Sequence, residues 1–195
     1  MNPLDRIPPT DLDAAGKRAV MAMFLCDIGY RYYERKRIEI LDGTPLTGGT
    51  GHGVLEPYRR YVFQYGDIVY KLWGKDYHGG PMMIEGIKRD FYREVAEPLL
   101  GLVFDDEANC CGYVMRKCRV GNLHKTIVGN LVSRLIEVTK RTGLYFRDCI
   151  PRNMCSDKNV GYILDLESLS DVYTEKGYTK NSKYSKAVLD LKKSA

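Results

Sequence analysis

Hydrophobic positions along the chain alternate between stretches of helical spacing and short β-forming runs. From Asp11 to Lys36, the residues Val20, Met21, Phe24, Leu25 and Ile28 recur at helical intervals behind a capping Asp11 or Asp13, which predicts one helix. Tyr61 to Gln64 and Ile68 to Trp73 are β-forming runs split by Tyr65-Gly66-Asp67, the pattern of a hairpin. Ile84, Ile87, Phe91 and Val95 predict a helix from Met82 to Glu97, which Pro98 must end. Leu99 to Phe104 and Gly112 to Met115 read as a second hairpin around the polar turn Asp105 to Asn109. The next helix, Val128 to Arg141, places Val128, Leu131, Leu135, Ile136 and Val138 on one face and stops at Thr142-Gly143. Asn153 to Cys155 and Gly161 to Leu164 form a last pair of strands over the turn Ser156 to Asn159. A polar, basic tail then holds a helix from Ser182 to Lys193.

Composition narrows the class. A chain of 195 residues with 44% hydrophobic and 28% charged residues is long enough to bury a core and has none of the bias of a disordered segment. The net charge of +5 comes from 30 basic and 25 acidic residues spread along the chain, so it selects no polyanion, and no nucleic-acid partner is expected. Six cysteines (Cys26, Cys110, Cys111, Cys118, Cys149 and Cys155) include no C-x-x-C pair and no zinc spacing with His52, His78 or His124. They read as free thiols of a soluble protein in a reducing, cytoplasmic compartment. Delivery into a host cell as an effector is a compatible location. No apolar run approaches the roughly 20 residues of a membrane span.

Against this background one local constellation carries chemistry. Arg147-Asp148, Pro151 and Asn153 lie between a predicted helix and a predicted hairpin, and that hairpin runs into Asp165-Leu166-Glu167. Upstream come a glycine-rich stretch, Thr47 to Leu55, and a lysine in an apolar strand, Ile68-Val69-Tyr70-Lys71. Phosphoryl transfer from a nucleotide needs a backbone cover for phosphates, a lysine, oxygen ligands for a divalent cation and a carboxylate near the acceptor. The chain supplies these in that order. Each piece also has an ordinary reading: Asp and Asn cap turns, strand lysines lie on exposed edges, and glycines make surface linkers.

Taken together, the Asp-to-Asn spacing of H-R-D-x-x-x-x-N and the later aspartate resemble the catalytic loop and D-F-G turn of the eukaryotic-like protein kinase superfamily. Phe146 stands where the family has histidine, Leu166 and Glu167 where it has phenylalanine and glycine, and Ile150 where serine/threonine kinases carry lysine, a contact that Arg152 is placed to replace. The resemblance covers about Gly48 to Glu167, and only 28 residues follow. It implies an α+β, two-lobed protein-kinase-like fold: a small N-lobe antiparallel sheet with one helix and a strongly reduced helical C-lobe. The implied segments are a helical extension at 1–36, an N-lobe at 37–118 and a C-lobe with a basic tail at 119–195. In size it is similar to bacterial effector kinases and phage-borne kinase-like proteins.

The resemblance also assigns roles. Asp148 would orient the acceptor hydroxyl, and Asn153 and Asp165 would hold Mg²⁺. Lys71 would contact the phosphates of ATP. Gly48, Gly49, Gly51 and Gly53 would wrap those phosphates, with Thr50 in place of the central glycine of the family pattern. The strand Tyr113 to Cys118, with Met115 and Lys117, would meet the adenine. A helix carboxylate should pair with Lys71: Glu94 is the first choice, and Glu85, Asp90 and Glu97 are alternatives. The implied activity is an ATP- and Mg²⁺-dependent transfer to a hydroxyl of a protein substrate. A small-molecule kinase of aminoglycoside-phosphotransferase type and a nucleotide-binding pseudokinase are the competing functions.

Overall fold

The computed structural model describes residues 12–39, 44–45, 60–73, 79–96, 98–172 and 182–194. In chain order the elements are α1 (Ala14–Asp27), β1 (Arg31–Glu34), α2 (Arg35–Glu39), β2 (Thr44–Pro45), β3 (Arg60–Tyr65), β4 (Ile68–Trp73), α3 (Gly79–Lys88), β5 (Leu99–Phe104) and β6 (Cys110–Arg116). They continue with β7 (Arg119–Val120), α4 (Lys125–Thr142), β8 (Tyr145–Phe146), a single 3₁₀ turn (Pro151–Asn153), β9 (Met154–Asp157), β10 (Val160–Ile163), β11 (Leu169–Ser170) and α5 (Ser182–Ser194). The fold is α+β. Two units divide it, Met1–Gly80 with Leu99–Lys117 and Pro81–Pro98 with Cys118–Ala195.

The first unit is built on a six-stranded mixed sheet of order β1-β5-β6-β4-β3-β2, in which the β1–β5 pair is parallel and the others antiparallel. Both hairpins expected from the alternation are present: β3 and β4 turn at Gly66 (φ 58), and β5 and β6 turn over Asp105, whose carboxylate accepts the Asn109 amide at 2.9 Å. The helix expected from Asp11 to Lys36 is shorter, and this is a correction. Asp13 caps it, accepting from the Gly16 amide at 2.7 Å, but it ends at Asp27. Gly29 takes φ 85 and the Tyr30 amide closes on the Leu25 carbonyl at 2.8 Å, so the tyrosine-rich residues that follow enter the sheet as β1. Tyr32 then stacks on Phe104 with centroids 4.7 Å apart. Gly101 makes the parallel pairing possible, because a Cβ there would collide with the Arg31 carbonyl.

In the second unit, α4 buries Leu131, Leu135, Ile136 and Val138 of the face predicted for it, together with Val132, while Val128 is only half-buried, and the helix packs against β10 and α5. His124 caps its start and Gly143, at φ 68, its end. The β9–β10 hairpin turns on Lys158 and Asn159, both at positive φ (44 and 69), as a two-residue turn requires. β7 adds to β9, and β8 pairs with β11.

The helix expected to run from Met82 to Glu97 is also corrected. α3 starts earlier, at Gly79, and stops at Lys88. The stop is a left-handed cap: Asp90 sits at φ 56, its amide bonds the Ile87 carbonyl at 3.0 Å, and the Phe91 amide bonds Gly86 at 2.8 Å. Periodicity continued past this point because Phe91, Tyr92, Val95 and Ala96 are buried in irregular backbone. A further correction concerns the thiols. Cys118 and Cys155 form a disulfide, while Cys26, Cys110, Cys111 and Cys149 take part in none. The pair is 37 residues apart in sequence and is brought together by the β7–β9 ladder, where Val120 faces Cys155. The bond removes the argument for a reducing compartment that rested on six free thiols.

Candidate functional site

Asp148 follows the short strand β8, whose buried Phe146 fixes where the chain leaves the core. The Phe146 amide donates to the Tyr184 hydroxyl of α5 at 2.9 Å, and that hydroxyl also meets the Thr139 hydroxyl of α4 at 2.9 Å. Beyond β8 the chain makes a tight loop. The Ile150 amide bonds the Asp148 carbonyl and the Asn153 amide bonds the Ile150 carbonyl, each at 2.9 Å, with Pro151 opening the 3₁₀ turn. This turns the Asn153 side chain back on Asp148. Its Nδ2 donates to the Asp148 carboxylate at 2.9 Å and to the Asp148 carbonyl at 3.1 Å. Asn153 is only 5% exposed, whereas Asp148 is half-buried.

The D-L-E segment is tied to this loop at both ends. The Leu164 amide donates to the Asn153 carbonyl at 2.7 Å, and the Arg147 amide donates to the Ser168 carbonyl at 2.8 Å. Between those two bonds the chain turns through Asp165, which takes φ 55, and the Ser168 amide closes on the Asp165 carbonyl at 2.8 Å. A non-glycine residue at positive φ is uncommon, and aspartate is among the side chains that tolerate it. Leu166 and Glu167 are both buried, and the Tyr92 hydroxyl holds the Leu166 carbonyl at 2.8 Å. The loop of Asp148 and Asn153 and the turn of Asp165 are therefore one hydrogen-bonded assembly. It holds the half-buried Asp148 carboxylate, bonded by the Asn153 amide, on one segment and the half-buried Asp165 on the other. Arg152 Nη2 stands 3.8 Å from the Asp148 carboxylate, while Ile150 is buried.

Lys71, Met115 and Lys117 belong to the first unit. Lys71 lies on β4, an inner strand between β3 and β6, and not on an edge. Its residue is 6% exposed, and Nζ lies 5.7 Å from the centroid of the Tyr113 ring. Lysine is rarely buried to this extent without a task for its charge. Met115 is buried on β6 opposite Val69 and Leu99. The backbone amide of the exposed Lys117 donates to the Asp67 carbonyl at 2.8 Å.

Glu94 departs from its expected role. It lies beyond the end of α3, it is exposed, and its carboxylate pairs with Arg141 Nη1 of α4 at 2.6 Å. Of the alternatives, Glu85 is on α3 and pairs with Arg89 at 2.6 Å, and Asp90 pairs with Arg93 at 2.9 Å. Glu97, Gly48, Gly49, Gly51 and Gly53 lie outside the described residues. Sequence reasoning missed Tyr92 and Tyr184, which anchor the two halves of the assembly, because a tyrosine on an apolar face carries no local sign of what its hydroxyl will reach. No family model matches this chain, and no curated protein does.

Proposed function

We propose that the protein is an ATP- and Mg²⁺-dependent phosphotransferase, a minimal kinase that phosphorylates a serine or threonine hydroxyl of a protein substrate. The observation that carries this reading is the doubly tied assembly of Asp148, Asn153 and Asp165. It supplies, on adjacent segments, a carboxylate for the acceptor hydroxyl and oxygen donors for a divalent cation. The buried Lys71 on an inner strand supports the phosphate-contact role that the ordered motifs give it.

Magnesium suits this donor chemistry. Asn153 Oδ1 and the Asp165 carboxylate are hard oxygen donors on segments joined by the bond from Leu164 to Asn153. Among the described residues no three His, Cys, Asp or Glu side chains gather to hold a metal, so a cation held by Asn153 and Asp165 would need phosphate and water as further ligands. When bound, the cation neutralises charge on the transferring phosphoryl group. The chain's own residues do the rest. Asp148 accepts the hydroxyl proton as the substrate oxygen bonds phosphorus and ADP departs, Asn153 holds the Asp148 carboxylate in place, and Lys71 steadies the phosphates of ATP. Arg152 offers its guanidinium on the acceptor side. Among the described residues no helix is long and apolar enough to cross a membrane.

Incubation with labelled ATP and Mg²⁺ tests the reading. Label should pass to the protein itself or to a lysate protein, and Asp165→Ala should abolish the transfer. Absence of label in every protein fraction would overturn it, and label found in small metabolites alone would move the reading to the small-molecule kinases.

A further inference from the structure

Within the second unit a cleft of about 480 Å³ opens beside the loop that carries Asp148. Its size is that of an ordinary ligand site. Pro151 forms one wall, and Leu123, Val128 and Val132 give an apolar lining. Lys125 and Lys183 add two cations, and among the described residues no acidic side chain lines the cleft. Both lysines are exposed, and among the described residues no carboxylate stands within ion-pair distance of either. Lys183 Nζ donates instead to the Ser133 hydroxyl at 2.9 Å, which in turn donates to the Gly129 carbonyl at 3.0 Å, so a hydrogen-bond chain fixes this cation toward the cleft. Lys125 is the first residue of α4, and the first turn holds no acidic residue, although a helix N-terminus favours negative charge. The positive potential of the helix end and the two lysines therefore add.

Gly129 gives the second, independent observation. It lines the cleft from within α4, where glycine weakens a helix relative to alanine. Close packing does not explain it, because a Cβ built there meets nothing within 4 Å. Its φ is not in the left-handed region either. What the missing side chain leaves is room.

We infer that this cleft is the acceptor-side subsite of the phosphotransfer reaction, taking a substrate peptide with a carboxylate side chain and an apolar side chain beside the hydroxyl. The inference rests on the kinase reading for its role, but the binding it asserts is independent of catalysis. Two cations with no acid beside them among the described residues select a carboxylate, the apolar lining selects a neighbouring aliphatic side chain, and Pro151 ties the cleft to the loop that carries Asp148 three residues earlier.

The test uses the full chain and fluorescence polarisation with three labelled serine peptides, flanked by Glu and Leu, by Lys and Leu, or by Ala alone. The Glu/Leu peptide should bind most tightly, with an affinity that falls as salt rises. Lys125→Glu combined with Lys183→Glu should weaken it by about ten-fold or more, as loss of paired charges in a cleft does. Gly129→Leu should weaken it by a similar factor of about ten while the melting temperature holds or rises, a combination that damage to the fold cannot produce. Equal binding of the acidic and basic peptides, or unchanged binding in Gly129→Leu, would overturn the inference. Phosphate transfer from ATP to the same peptides separates the two readings. An acidic peptide that binds but gains no phosphate sinks the kinase reading and leaves the site. Transfer without acidic preference and with an unaltered KM in Gly129→Leu sinks the site and leaves the kinase.

Discussion

Asn153 is the residue on which the candidate chemistry turns, because one side chain holds both the carboxylate and the backbone oxygen of Asp148. Replacing it with alanine frees the Asp148 carboxylate and removes an oxygen donor. Misplacement of a reacting group by about 1 Å costs about 10²-fold in rate, so Asn153→Ala should lower the kcat of the proposed phosphate transfer by at least that factor. The same change should destabilise the protein by about 1–2 kcal/mol, the usual effect of losing a buried hydrogen-bonded side chain, measurable in a urea titration. Titration gives a second prediction at this scale. Burial pushes the Tyr32 hydroxyl up to about 12, and burial aided by the Asp148 charge pushes the Cys149 thiol up to about 12. Burial also raises Tyr184, against the opposing effect of its hydrogen bonds to Thr139 and Phe146. Each group is neutral in the fold and ionises more easily once unfolded. The stability they contribute is whole below their ordinary values of 9.0 and 10.0, and is lost as pH climbs toward about 12. Melting temperatures should therefore be level in this respect from pH 7 to about 9 and fall steadily above that, where the thiol and then the hydroxyls ionise in the unfolded chain.

Among the elements, α5 has a larger part than its polar sequence suggests. Tyr184, fully buried, joins α5 to α4 through Thr139 and to β8 through the Phe146 amide. Tyr184→Phe leaves that amide buried without its acceptor, which should cost about 1–3 kcal/mol by chemical denaturation. Because β8 leads directly into Asp148, the proposed phosphate transfer should fall as well. How far the elements could be read from the chain depended on what ends them. The hairpins β3–β4, β5–β6 and β9–β10 were legible because alternation and turn residues such as Gly66 and Asn159 act locally. The helix α4 was legible because its apolar face and Gly143 agree. The overlong readings at α1 and α3 share one cause. Apolar spacing survives a left-handed residue, so neither Gly29 nor Asp90 interrupts the pattern while both end the helix. The Asp148–Asn153 bond joins residues only five apart, so the loop it closes is local. The Glu94 pairing could not be read from the chain, since Arg141 is 47 residues away on another element.

At the scale of the molecule, the Cys118–Cys155 bond is the largest constraint that sequence spacing did not reveal. Closing a loop over a separation of 37 residues stabilises by about 4 kcal/mol on chain entropy alone, toward the upper end of the usual range of about 2–4. Replacing both cysteines with alanine should lower stability by about 2–4 kcal/mol in denaturant titration. A reducing agent should shift the wild type by a similar amount and leave the variant unmoved. The same bond has a topological consequence. It makes a covalent macrocycle from residue 118 to residue 155 that contains α4, β8, Asp148 and Asn153, while Asp165 lies outside it. A protease that cuts once inside the macrocycle opens it without releasing either half. The nicked protein should run as one species on a non-reducing gel and as two on a reducing one, and a cut between Cys118 and Asp148 should leave Asp148, Asn153 and Asp165 together on one fragment that only sulfur ties to the other.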